Sequence, residues 1–250
     1  MLRKVASFVL ALAAAAAASA QGSGQMVTFY SGGEEVSAYL FAPPGPGAKP
    51  GIVVIHEWWG VNDWVKGKAD AFAKQGYVAI AVDLYRGKVA TDADTAHQLM
   101  RGMPEDRALR DLKGAVAYLK ARPDVDAKRI GAVGWCMGGG WSLNLAVAHP
   151  LLRGAVIYYG HLMTEEATIK GLEVPLLGNF GGKDQGIPPD SVRDFEKKAK
   201  AAGKSVDFKV YPEAGHAFAS SSDPKVFRAA DAKDADARTD AFFARVLKEK

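Results

Sequence analysis

A glycine-flanked cysteine is the residue of this sequence with the clearest chemical potential. Gly134–Gly138 has the sequence Gly-Trp-Cys-Met-Gly, and it follows the apolar run Ile130–Gly134 and precedes a helical pattern. A nucleophile on a sharp strand-to-helix turn needs glycine two positions to either side, because neighbouring backbone passes close by. Such a turn exposes the Cys136 thiol, and the helix behind it favours the thiolate. The Met137 amide would face a developing oxyanion. The alternative is an inert cysteine buried in a tight turn.

Two later residues stand where an orienting acid and a base are needed. Asp184 follows the apolar run Pro175–Phe180, and His216 follows the run Val206–Tyr211. Because the carboxyl ends of parallel strands meet at one edge of a sheet, both side chains would lie near Cys136. The order nucleophile, acid, histidine is typical of hydrolases built on such sheets. The simpler alternatives are a turn-forming aspartate and a solvent-facing histidine.

The other histidines carry weaker signals. His149 ends a helix and indicates a cap, His97 lies in a polar helical stretch, and His161 has no acid in a matching place. His56–Gly60 begins like the zinc motif H-E-x-x-H but has glycine at the second histidine position, so no metal site is expected. The nucleotide-binding patterns G-x-G-x-x-G and G-x-x-x-x-G-K-[ST] are missing from the strand–helix turns, and we expect no cofactor.

Strand and helix patterns alternate along the chain. An antiparallel pair is predicted at Val27–Tyr30 and Val36–Phe41. Buried strands are predicted at Ile52–His56, Tyr77–Asp83, Ile130–Gly134, Ala155–Tyr159, Pro175–Phe180 and Val206–Tyr211. Helices are predicted at Trp64–Gln75, Pro104–Arg122, Gly139–His149, Asp190–Ala202 and Pro224–Leu247. This alternation predicts a single α/β domain with a mostly parallel central sheet and helices on both faces.

The N-terminus has the pattern of an export signal. Residues 1–20 combine Arg3 and Lys4 with an alanine-rich apolar stretch and end in Ala-Ser-Ala. This pattern predicts a signal peptide cleaved before Gln21, which leaves residues 21–250 as the folded domain in the periplasm or the medium. The alternative is an uncleaved membrane anchor. The single cysteine excludes an internal disulfide.

Composition narrows the range of partners. The 250 residues are 48% hydrophobic and 24% charged, which is ordinary for a globular protein. Removal of Arg3 and Lys4 lowers the formal net charge from +4 to +2. So small and dispersed a charge gives no reason to expect nucleic acid or an anionic membrane as a partner. We expect a monomer that binds a small molecule.

The sequence resembles the dienelactone hydrolase family of α/β-hydrolases over nearly all of residues 21–250. The segments that carry the resemblance are His56–Gly60, Asp83–Arg86, Gly134–Gly139, Gly182–Asp184 and Gly215–Phe218. The resemblance implies an α/β-hydrolase fold. It also implies hydrolysis of a small ester or lactone such as dienelactone through a Cys-His-Asp triad and an acyl-thioester.

Further roles follow from the same resemblance. Glu57 would contact the resting nucleophile and help to generate the thiolate, and the Trp58 amide would join that of Met137 in the oxyanion hole. Arg86 would bind the carboxylate of the substrate. Ser220 occupies the position of a second carboxylate-binding arginine in well-studied members of the family. Independently, the bulky neighbours of Glu57 predict its partial burial and a raised pKa.

Two alternatives remain open from the sequence. The first is a general carboxylesterase or thioesterase on the same scaffold, which Ser220 favours because half of the arginine clamp is missing. The second is a thiol sensor or binding protein without catalysis, in which oxidation of Cys136 would change binding. We also expect about two of the five tryptophans to line a pocket, because tryptophans as a group more often lie in cores.

Overall fold

A single sheet of eight strands organises the part of the chain that the computed structural model describes, residues 24–249. The predicted export signal lies outside these residues. The strands are β1 (Gln25–Ser31), β2 (Glu34–Phe41), β3 (Lys49–Ile55), β4 (Val78–Val82), β5 (Val125–Trp135), β6 (Gly154–Tyr158), β7 (Leu176–Gly181) and β8 (Val206–Tyr211). The helices are α1 (Asp63–Lys74), α2 (Ala93–Arg101), α3 (Glu105–Ala121), α4 (Met137–Ala148), α5 (Glu166–Gly171), α6 (Pro189–Ala201) and α7 (Ala229–Phe243). A π-helical segment, Ala244–Lys248, follows α7.

The sheet is parallel except at one edge. Its strand order is β1-β2-β4-β3-β5-β6-β7-β8, and only the pairs β1–β2 and β2–β4 are antiparallel. In the centre, Ile55 of β3 pairs with Gly134 of β5, and Gly134 pairs with Ile157 of β6. The carboxyl ends of these strands are therefore level with one another. The predicted α/β-hydrolase fold with a mostly parallel sheet is confirmed.

Hydrophobic cores fill both faces of the sheet. On one face α1 and α7 pack together, and the rings of Phe72 and Phe243 lie 5.7 Å apart. On the other face lie α3, α4 and α6, where Phe195 of α6 stacks on Phe208 of β8 at 5.5 Å. Strands buried on both faces explain the continuous apolar runs of the sequence. Within residues 24–249, the helices are too short or too polar to cross a membrane.

Helix boundaries follow local capping chemistry. The Asn62 side chain accepts a hydrogen bond from the Val65 amide at 3.1 Å and begins α1, and Gly76 follows the helix with a φ of 94°. The final helix begins at Ala229 and not at Pro224 as predicted. The residues before it form turns instead, in which the Phe227 amide donates to the Asp223 carbonyl at 3.1 Å.

Candidate active site

Cys136 occupies the turn between β5 and α4 in a strained conformation. Its φ of 53° and ψ of −118° lie in a region that residues with a side chain rarely adopt. Glycine is required on both sides of this turn. A Cβ atom on Gly134 would collide with the Gly138 carbonyl, and a Cβ atom on Gly138 would collide with the Ile55 carbonyl. The predicted strand–turn–helix setting of the cysteine is confirmed.

The structure brings the three predicted triad residues into one hydrogen-bonded line. His216 Nε2 lies 3.1 Å from Cys136 Sγ, and His216 Nδ1 lies 2.7 Å from Asp184 Oδ2. The second oxygen of Asp184 accepts hydrogen bonds from the Gly186 and Ile187 amides, both at 2.9 Å. The buried carboxylate is thereby fixed in orientation, and it fixes the imidazole in turn.

Hydrogen bonds in this line shift the pKa values of His216 and Asp184. Burial lowers the pKa of His216, but the hydrogen bonds to Asp184 and Cys136 outweigh burial and raise this pKa to about 10. Burial raises the pKa of Asp184, whereas the hydrogen bonds from His216 and from two backbone amides lower it, and the net shift is downward. The geometry therefore suits an imidazolium held between a carboxylate and a thiolate.

Cys136 faces a mostly apolar cavity of about 330 Å³. Its lining residues are Glu57, Trp58, Trp59, Met100, Cys136, His216, Ala217, Ser220, Ser222, Asp223 and Val226. Trp58 and Trp59 are the two tryptophans that contribute to this wall, while Trp135 is buried and Trp64 and Trp141 line other cavities. A cavity of this size accommodates a small organic molecule.

Glu57 is a buried acid in the wall of this cavity. Its side chain accepts hydrogen bonds from Ser220 Oγ at 2.9 Å and from the Tyr159 hydroxyl at 3.4 Å. Within residues 24–249 no lysine, arginine or histidine lies within ion-pair distance of it. Burial raises the pKa of Glu57 to about 7, against the hydrogen bond from Ser220 and the charge of His216. The burial and the raised pKa expected from the sequence are both present.

Comparison with known proteins identifies the family. The family model described as the dienelactone hydrolase family matches residues 36–247. The chain belongs to the dienelactone hydrolase family. "Protein usf" of Aquifex pyrophilus is 36% identical over 231 residues, which cover 90% of this chain and 99% of the relative. A protein of Methylorubrum extorquens named "Putative carboxymethylenebutenolidase" is 34% identical over 213 residues, which cover 80% of this chain and 73% of the relative.

A solved structure agrees with this assignment. The crystal structure of a "Putative Dienelactone Hydrolase" from Klebsiella pneumoniae superposes with a TM-score of 0.82 at 30% sequence identity. The superposition covers 89% of this chain and 98% of that one. The protein is thus a dienelactone hydrolase-like ester hydrolase with the α/β-hydrolase fold.

The two amides expected to form the oxyanion hole are free to donate. Met137 is the first residue of α4, where backbone N–H groups have no partner inside the helix. The Trp58 amide follows Glu57 in the turn after β3. Within the described part of the chain, neither amide donates a hydrogen bond to a backbone or side-chain acceptor.

The side chain of Trp58 contacts helix α2. Its ring packs on that of His97, with ring centroids 4.7 Å apart.

Ser220 has a role that sequence reasoning missed. In this member of the family it donates to Glu57, and its own oxygen lies 2.7 Å from Ser222 Oγ. Tyr159, the other donor to Glu57, was also missed. It directly follows β6 with a φ of 37°, and its ring lies 5.2 Å from that of His216. Tyr159 could have been identified from the sequence, because it lies at the end of a predicted strand whose carboxyl end meets the same edge of the sheet as Cys136.

Arg86 differs from the expectation based on family resemblance. Its side chain does not line the cavity beside Cys136. Arg86 Nη2 lies 2.6 Å from Asp111 Oδ2 and 3.2 Å from Glu34 Oε2. Asp111 is fully buried in α3, and a buried carboxylate attracts the nearest cation strongly. Arg86 is therefore held in an ion-pair network outside the cavity, not beside the nucleophile.

Proposed function

We propose that this protein hydrolyses small, uncharged esters or lactones through an acyl-thioester on Cys136. One observation carries the proposal. Cys136, His216 and Asp184 form a continuous hydrogen-bonded line of 3.1 Å and 2.7 Å, and the line opens into an apolar cavity. A thiol, a histidine and an acid in this order are the components of nucleophilic catalysis.

The first half of the proposed reaction forms the thioester. The Cys136 thiolate attacks the carbonyl carbon, a carbon–sulfur bond forms, and the carbonyl electron pair moves to the oxygen. The Met137 and Trp58 amides stabilise this oxyanion. When the electron pair returns, the carbon–oxygen bond to the alcohol breaks. His216 Nε2 gives its proton to the leaving oxygen.

The second half releases the acid. His216 Nε2, now neutral, takes a proton from a water molecule, and the resulting hydroxide attacks the thioester carbon. The carbon–sulfur bond breaks and returns the electron pair to the Cys136 sulfur. The thiolate and the imidazolium are thereby restored. Asp184 holds the ring in orientation and stabilises its positive charge in both halves.

The surroundings of the cavity favour an uncharged substrate. Arg86 is paired with Asp111 outside the cavity, and Ser220 stands in the place of a second arginine. A substrate carboxylate would also lie near Glu57 and Asp223, which line the same wall. Burial of an unpaired anion beside acids is costly. We therefore place dienelactone, an anionic lactone, below neutral esters in expected rate.

Location and assembly belong to the same proposal. We propose that residues 1–20 direct export and that the enzyme works outside the cytoplasm as a monomer. The basic start, apolar stretch and small residues of this segment support export.

A comparison of substrates tests the proposed function. We expect p-nitrophenyl acetate to be hydrolysed with a higher kcat/KM than dienelactone. Rapid quenching during p-nitrophenyl acetate turnover should trap an acetyl group on the peptide that contains Cys136, detected by mass spectrometry. A preference for dienelactone would contradict the uncharged substrate, and turnover without acetylated Cys136 would contradict the thioester.

The charge of Glu57 predicts the pH profile. Its pKa is about 7, so the side chain is neutral below pH 7 and anionic above. A negative charge on Glu57 destabilises the nearby thiolate and the oxyanion by electrostatic repulsion. We therefore expect kcat/KM for p-nitrophenyl acetate to fall several-fold as the pH rises through 7. Glu57→Gln should abolish this fall, whereas Glu35→Gln, at an exposed position of β2, should retain it. A rise through pH 7 that Glu57→Gln removes would instead support proton transfer from the thiol to Glu57.

The pH dependence of the free energy of unfolding gives a second measure of the raised Glu57 pKa. Because the folded-state pKa of about 7 exceeds the ordinary value of 4.5, the folded state retains a proton that the unfolded state has lost. The free energy of unfolding therefore decreases as the pH rises from 4.5 through 7. At alkaline pH Glu57→Gln should recover about 2–3 kcal/mol, measured by urea unfolding.

A further inference from the structure

A second cavity of about 540 Å³ lies on the other side of the nucleophile turn. Much of its wall is sulfur-containing or aromatic, with side chains from Met100, Met103, Met137, Met163 and Trp141. The wall comes from the end of α2, the start of α3, the first turns of α4 and the loop after β6. The reaction steps proposed above do not use this cavity.

The two cavities are neighbours that meet at the nucleophile turn. Met100 of α2 lines both of them. Cys136 lines the first cavity, and the next residue, Met137, lines the second. The Met137 side chain accepts a hydrogen bond from the Tyr85 hydroxyl at 3.2 Å, which fixes its position. An ester carbonyl at Cys136 would therefore lie between two separate spaces.

Proton transfer decides which part of an ester enters which cavity. His216 lines the first cavity and must reach the oxygen of the leaving alcohol. The alcohol group therefore points into the first cavity. The carbonyl oxygen lies against the Met137 amide, so the acyl group extends past the Met137 side chain, which lines the second cavity.

The chemistry of the second wall fits a flexible apolar chain. Methionine side chains are unbranched and polarizable, and they adapt to apolar groups of varied shape. Arg101, Glu105 and His161 also line this cavity, and the opposite charges of Arg101 and Glu105 offset one another. We propose that the second cavity binds an unbranched acyl chain and makes the enzyme selective for medium-chain over short-chain esters. This inference rests on the proposed function and specifies its substrate class.

Acyl-chain length provides the test. We expect kcat/KM to rise at least tenfold from p-nitrophenyl acetate to p-nitrophenyl hexanoate, because each buried methylene contributes about two- to fourfold. Asn144 faces the cavity from α4, and its side chain donates to the Gly140 carbonyl at 2.9 Å. Asn144→Phe should narrow the cavity and flatten the rise, with acetate hydrolysis changed less than about twofold. Asn144→Ala loses the same hydrogen bond but leaves the cavity open, so it should keep the rise.

A second variant and a binding measurement make the test independent of one substitution. Met163→Trp narrows the same cavity from the loop after β6, and it should also flatten the chain-length profile. Calorimetry should show that octanamide, an uncharged analogue of the acyl group, binds the unsubstituted protein at least tenfold more tightly than it binds Asn144→Phe. Thermal unfolding checks that each variant is folded.

The outcomes separate this inference from the proposed function. A flat profile in the unsubstituted protein, with acetate hydrolysis that acetylates Cys136, would overturn the acyl-chain site alone. An equal loss for all esters in Asn144→Phe would overturn it as well. Octanamide binding that is lost in Asn144→Phe, without any ester turnover, would support the site and reject the proposed reaction.

Discussion

Replacement of Cys136 by glycine is expected to abolish ester hydrolysis and to stabilise the fold relative to replacement by alanine. Both variants lack the proposed nucleophile, and kcat/KM for p-nitrophenyl acetate should fall by about 10³-fold or more. They differ in backbone strain. At a φ of 53° and a ψ of −118°, alanine retains the strain that a side chain causes, and glycine relieves it. Urea unfolding should show Cys136→Gly to be more stable than Cys136→Ala by about 1 kcal/mol.

The pair of variants separates two explanations of this cysteine. An inert structural cysteine would leave hydrolysis intact in Cys136→Ala, and that result would reject the nucleophile. Equal stability of the two variants would show that the turn relaxes when the thiol is removed. Cys136→Ser is a further comparison, because it retains the side-chain shape and replaces the sulfur by a hydroxyl that is harder to ionise.

Removal of the charge of Asp184 should have the next largest effect. Asp184→Asn is expected to lower kcat by about 10²- to 10⁴-fold, because the amide NH₂ can face His216 Nδ1 and favour the wrong tautomer. The two backbone amides that donate to Oδ1 at 2.9 Å favour this orientation, since they require an oxygen on their side. Asp190→Asn is the matched control. Asp190 is exposed in the first turn of α6 and pairs with Arg193 at 2.6 Å.

The same substitution has a signature in the pH dependence of stability. The pKa of His216 is raised from 6.5 to about 10 in the folded state, with Asp184 as the first of the stabilising partners. Protonated His216 therefore contributes stability that is complete below pH 6.5 and is lost as the pH rises through 10. The difference in unfolding free energy between the unsubstituted protein and Asp184→Asn should shrink over this range. A constant difference would mean that His216 is not the group that titrates.

The parts of the structure that depend on local pattern were predictable from the sequence. The strand predicted at Val206–Tyr211 has the same bounds in the structure, and the triad lies where the strand ends place it. Burial on both faces requires continuous apolar runs, which a sequence displays directly. The turn around Cys136 was predictable for a similar reason, since only glycine fits the close contacts beside it.

The parts that depend on distant side chains were not predictable. Glu57 and Ser220 are 163 residues apart, and Arg86 and Asp111 are 25 apart, so no local pattern records either pairing. Helix α2 was recognised only as a polar helical stretch, because it is short, mostly polar in composition, and has Ala96 as its single fully buried residue. The Glu57–Ser220 and Arg86–Asp111 pairings nevertheless determine the charge in and around the cavity, and α2 supplies part of the cavity wall.

The place of His216 along the chain has a consequence for biosynthesis. It follows β8, which is the last of the described strands and an edge strand that pairs with β7, and it lies 80 residues after Cys136. During translation the thiol therefore leaves the ribosome long before its base. Because contacts between such distant residues form late in folding, the nascent cysteine has no histidine to activate it. In the proposed mechanism, the cysteine therefore gains its base only after β8 has been synthesised and has paired with β7.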